Sequence, residues 1–117
     1  MKYLLLINID AAEAAATVTD MPAVTAEYGA FTQRIIESGE LVAGDRLEDV
    51  DTATTVRIRG GEATLTDGPF AETKEQIGGY YVVDVASLDR ALELAKQIPA
   101  AQHGSIEVRP IADMSMS

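Results

Sequence analysis

The chain has 117 residues, enough for one domain with a buried core, and its 47% hydrophobic and 24% charged residues are those of an ordinary globular protein. Lys+Arg of 9 against Asp+Glu of 19 leave a net charge of −10, which serves solubility and disfavours phosphate backbones and anionic membranes, so neither a nucleic-acid nor a membrane partner is expected. There is no cysteine, which excludes disulfides, thiolate catalysis and cysteine-ligated metals.

The run "YLLLINI" (Tyr3–Ile9) is continuously apolar and reads as a central strand buried on both faces. It is too short for a signal core or a membrane span, so a cytoplasmic location is the expectation. "DAAEAAATVTD" is Ala-rich and polar, a loop or a short helical turn. A helix follows, capped by Asp20 or Thr19, with Pro22 in its first turn. Val24, Tyr28, Phe31 and Ile35 make its apolar stripe, and Ser38-Gly39 ends it.

"ELVAGDRL" (Glu40–Leu47) reads as a second strand interrupted at Gly44. Two further strands, "TTVRIR" and "EATLT", flank Gly60-Gly61, a two-residue hairpin loop whose positions tolerate positive φ. That loop pairs Arg59 with Glu62, Ile58 with Ala63, Arg57 with Thr64 and Val56 with Leu65, sorting apolar and polar pairs to opposite faces. "GYYVVDV" (Gly79–Val85) is a strand in which alternation sends Tyr80 and Tyr81 to opposite faces. Ser87 caps a second helix with a stripe of Leu88, Ala91, Leu92, Ala95 and Ile98, closed by Pro99. "SIEVRPI" (Ser105–Ile111) is the last strand, and residues 112–117 are an expected frayed tail to a single domain of 1–117.

The predicted order is β-α-β-β-β-β-α-β. Without the inserted hairpin it is a ferredoxin-like α+β skeleton, an antiparallel sheet with two helices on one face. Strands apolar on both faces then need a cover for the second face, and a second copy of the chain supplies the simplest one, a homodimer.

The connector "TDGPFAETKEQIGG" is dense in special residues. Asp67 reads two ways, as the turn residue that accepts backbone N–H bonds and as a general base or polar anchor. Gly68 and Pro69 set the turn. Phe70 is a core plug or a pocket wall. Glu72, Lys74 and Glu75 form a polar rim or a solvated turn, Lys74 being a partner for an anion or carbonyl. Gly78-Gly79 suits close backbone packing, since no phosphate-loop pattern surrounds it. Tyr28 lies on the apolar stripe, its hydroxyl needing a partner or facing a pocket, and Tyr81 offers a second ring. His103 is the sole histidine, in the loop before the last strand. It is a proton carrier at neutral pH or a plain exposed side chain. With one histidine and no Ca²⁺-loop spacing, no metal and no other cofactor is expected.

"DGPFAETKEQIGGYYVVDV", with "KYLLLI", "AEYGAF", "ATTVRIRGG" and "GSIEVRPI", resembles the signature of the DGPF family within the YCII-related superfamily. The resemblance implies a ferredoxin-like subunit of the dimeric α+β barrel type, mostly bacterial, in a largely uncharacterised family. Some members resemble companions of extracytoplasmic-function sigma factors. For enzyme-like relatives the resemblance implies a histidine on the first helix paired with an aspartate near the other end of the chain. Residues 20–40 contain no histidine here. Three readings follow. The first is a small-molecule binding or sensing domain, its ligand held by Asp67, Gly68, Pro69, Phe70, Lys74, Tyr28 and Tyr81. The second is a cofactor-free lyase or hydrolase with Asp67, Tyr28 or His103 as proton carriers. The third is a protein-interaction module tied to transcriptional regulation.

Overall fold

The computed structural model describes residues 1–69 and 73–114. Among them the elements run β1 (Lys2–Asp10), α1 (Ala11–Thr17), α2 (Met21–Glu37), β2 (Leu41–Arg46), β3 (Thr54–Arg59), β4 (Glu62–Asp67), β5 (Glu75–Asp84), α3 (Leu88–Gln97) and β6 (Gly104–Pro110). Single 3₁₀ turns precede β3 and follow α3, at Val50–Thr52 and Pro99–Gln102.

Four strands form one antiparallel sheet in the order β2-β5-β1-β6. This α+β arrangement is compatible with the ferredoxin-like skeleton. The most apolar strands, β1 and β5, are the two central ones. β1 alternates: Tyr3, Leu5 and Ile7 are buried, whereas Leu4 and Leu6 are half-exposed. In the single chain the helices cover one face of this strand alone. α2 contributes Phe31 and Ile35 and α3 contributes Ala91 and Leu94 to one core with Tyr3, Leu5, Ile7, Tyr81 and Val83. Phe31 meets Tyr81 edge-on, with ring centroids 5.3 Å apart.

The caps follow local chemistry. Asp20 accepts from the Ala23 N–H at 3.1 Å, with Pro22 just inside α2. Ser87 accepts from the Arg90 N–H. The Ala-rich segment after β1 is a seven-residue helix, α1, rather than a loop, because Asp10 caps it through the Glu13 N–H. The stripe of α3 is rotated from the expected one. Leu94 is buried, whereas Leu88 and Leu92 are 47% and 38% exposed. β2 starts at Leu41, and its irregularity falls between Leu41 and Ala43 rather than at Gly44. Glu40, just before it, holds Arg90 of α3 through two bonds of 2.8 Å. The arginine's hydrogen bonds keep the Glu40 carboxyl below the usual carboxylate range.

β3 and β4 form a separate two-stranded sheet. Gly60 and Gly61 take φ of 57° and 81°, and Arg59 faces Glu62, Ile58 faces Ala63 and Val56 faces Leu65. Two adjacent positive φ values fit a tight hairpin loop of the mirror-image type, which sets this pairing.

Candidate functional site

On the face of the sheet away from the helices, Leu4, Leu6, Tyr80 and Val82 form an apolar centre. Tyr80 donates to Asp45 Oδ2 at 2.7 Å, and this bond to a carboxylate raises the phenol above its ordinary pKa. Towards the end of β1 the same face turns polar. Asn8 pairs with Ile77 and with Ser105, and Asp10 pairs with Glu75. The Ser105 hydroxyl donates to the Glu75 carboxylate.

β5 reaches this end by a bulge. The register with β1 shifts between Ile7 and Asn8, leaving Gly78 as the extra residue. A Cβ on Gly79 would lie 2.9 Å from the Asp45 carbonyl oxygen, so the second glycine permits close backbone approach. Beyond the bulge, Thr73 and Gln76 brace the turn, Gln76 Nε2 donating to the Thr73 carbonyl at 2.9 Å.

Asp10 is 5% exposed. It is the buried charge of the described residues and was not singled out from the sequence. Its carboxylate accepts from the Glu13 N–H at 3.1 Å and lies 3.6 Å from Lys74 Nζ. The Glu13 N–H first, and the Lys74 ammonium with it, hold its pKa below the ordinary value against the opposing effect of burial. An Asp followed three residues later by Glu is a capping pattern, and that was the available signal.

Beside this cluster a cleft of about 560 Å³ is lined by Asn8, Leu47–Ala53, Pro69, Thr73, Glu75, Gln76 and Ile77, apart from Asp51. Its volume lies within the range of small-molecule sites. The floor is the bulged start of β5 and the walls are the two segments that lead into and out of the hairpin.

The residues expected to form a site are divided by the fold. Pro69 lines the cleft, and Lys74 lies next to it on Asp10. Asp67 ends β4 opposite Thr54 and is exposed; it does not line the cleft. The turn is held instead through Gly68, at φ 102°. Its N–H donates to the Ala53 carbonyl at 2.7 Å and its carbonyl accepts from Thr55 Oγ1 at 2.9 Å. Phe70 and Glu72 lie outside the described residues. Tyr28 and Tyr81 sit on the helix side of the sheet. Tyr81 is buried, its hydroxyl 2.7 Å from Thr32 Oγ1. Tyr28 is half-buried, and desolvation raises its pKa against a backbone hydrogen bond at Ala100. His103 lines a separate cleft of about 270 Å³ with Asp20, Glu27 and Gln102. Its Nδ1 is buried without a hydrogen-bond partner. Asp67, Tyr28 and His103 therefore do not converge on one point.

A family model of the YCII-related domain matches residues 1–115. The chain belongs to the YCII-related family. This YCII-related chain is 44% identical over 91 residues to an uncharacterized protein of Rhizobium meliloti (strain 1021), a match covering 76% of this chain and 73% of that one. Among the described residues of this YCII-related domain, no helix is long and apolar enough to cross a membrane. No group of three or more histidine or acidic side chains is placed to hold a metal ion, again among the described residues.

Proposed function

We propose that this YCII-related domain is a homodimeric small-molecule binding or sensing module. Its ligand enters the cleft between the Leu47–Ala53 segment and the start of β5. The observation that carries this reading is the state of Asp10. It is the buried carboxylate beside the cleft, and a backbone N–H and an ammonium keep it ionised. A carboxylate with a lowered pKa is a weak proton acceptor at neutral pH. It is a fixed negative charge suited to holding Lys74 and the loop in place. The dispersal of Asp67, Tyr28 and His103 also favours binding over turnover, since proton transfer needs its groups within hydrogen-bond reach.

The apolar centre of the open sheet face supports the dimer. Leu4, Leu6, Tyr80 and Val82 are half-exposed in a single chain, and a self-complementary face is what a two-fold pair requires. The same face favours the interaction-module reading only where the partner is another protein.

The test is a thermal-shift screen of the wild type and Val50→Trp against a broad metabolite library. Val50 lines the cleft and is 38% exposed, so the indole fills space without disturbing the core. A ligand at a hundredfold excess over its Kd stabilises the fold by about 2.7 kcal/mol. The expected result is a hit that raises the wild-type Tm and leaves Val50→Trp unmoved. A hit that persists in Val50→Trp contradicts the assigned cleft.

A further inference from the structure

The β3–β4 hairpin is sorted the wrong way round for a chain that folds alone. Val56, Ile58, Ala63 and Leu65 share one face, and Thr55, Arg57, Thr64 and Thr66 share the other. Of β3, the half-buried side chains are Thr55 and Arg57. Val56, Ile58 and Leu65 are 60%, 66% and 70% exposed, the three most exposed Val, Ile and Leu side chains of the described residues. Every residue of β4 is exposed on both faces, and the apolar face of the hairpin is left open. A two-stranded hairpin alone is marginal in water and needs a surface to pack on. Among the described residues these strands join no other sheet.

The exposed area matches what a pair of copies would cover. The chain exposes 8009 Å². A folded monomer of 12.5 kDa is expected to expose about 6,200 Å², so about 1,800 Å² is in excess. Four strands of about eight residues outline roughly 500 Å² of open sheet face in projection. An obligate pair buries roughly 1,000–2,500 Å² on each partner, a range that contains this excess.

We propose that the β3–β4 hairpin is an arm that lays its Val56–Ile58–Leu65 face on a second copy of the chain. The proposal rests on the pairing of two copies inferred above. It adds a consequence for the site. The arm's two stalks, Leu47–Ala53 and Pro69, are walls of the cleft, so seating the arm on the partner fixes the cleft's width and couples association to ligand binding.

The chain has no cysteine. Ile58→Cys therefore accepts a benzophenone maleimide at one place. An equal mixture of ¹⁵N-labelled and unlabelled labelled protein is irradiated, and cross-linked peptides are read by mass spectrometry. The expected product has twice the chain mass and contains peptides of mixed isotope. A second variant, Val56→Thr/Ile58→Thr/Leu65→Thr, keeps strand propensity on a face exposed in the single chain. It is expected to raise the dimer Kd on the order of 100-fold, by loss of aliphatic burial, with the circular dichroism unchanged. A dimer that gives only within-chain cross-links, or whose Kd the triple variant leaves unchanged, overturns the arm and leaves the sheet-face dimer standing. A wild type monomeric at micromolar concentration overturns both.

Discussion

Asp10 shows how one residue serves fold and site together. It ends the strand, starts α1 and holds Lys74 of the loop. Because its folded pKa lies below the unfolded value of about 3.9, its contribution is present above that value and is lost as pH falls through the folded one. Asp10→Asn is therefore expected to lower the urea midpoint at neutral pH, and the difference from wild type should narrow in acid, below the unfolded value. Equal gaps at both pH values would remove the charge from the account. Gly104 makes a different demand. A Cβ there would run into the Asn8 carbonyl oxygen, and backbone cannot step aside as a side chain can. Gly104→Ala should cost about 1–3 kcal/mol in chemical denaturation, the ordinary range for overpacking. Asp10 was legible as a capping pattern, Asp-Ala-Ala-Glu, and of the two readings left open for the Ala-rich segment, a loop or a short helical turn, the helical one holds. Gly104 carried no signal, since its constraint comes from a strand almost a hundred residues earlier.

At the scale of elements, what local chemistry decides was readable and what packing decides was not. Gly60-Gly61 set the pairing of β3 and β4 because a two-residue loop leaves one register. Asp20 and Ser87 marked two helix starts through their side-chain oxygens. The face of α3 was not decided locally, because Leu88, Leu92 and Leu94 are all apolar and compete for the core. Packing against the sheet selects Leu94, 1% exposed, and leaves Leu88 at the rim. Leu94→Ala is expected to cost about 2–5 kcal/mol. Leu88→Ala should stay within about 0.5 kcal/mol, as at other surface positions. Urea unfolding of the pair checks the rotation directly, and equal losses would restore the stripe read from spacing. The cleft was hidden for the same reason. Asn8, Val50, Pro69 and Gln76 are scattered along the chain, and only the topology gathers them. The connector provides one wall and part of the floor, and Tyr28 and Tyr81, expected beside it, lie on the helix side of the sheet.

The whole molecule is a slab, 47 × 46 × 18 Å, with a radius of gyration of 16.3 Å. A compact chain of this length is expected near 13 Å. Helices cover one side of the sheet, the other carries Leu4, Leu6, Tyr80 and Val82, and the hairpin stands apart with its apolar face outwards. The central claim is that two copies of the chain complete this shape. Sedimentation equilibrium at micromolar concentration tests it most directly, on the wild type and on Leu6→Asp, which buries a charge in the proposed interface. The account predicts twice the 12.5 kDa chain mass for the wild type and a folded single chain for Leu6→Asp. A wild type that sediments at the mass of one chain would contradict it.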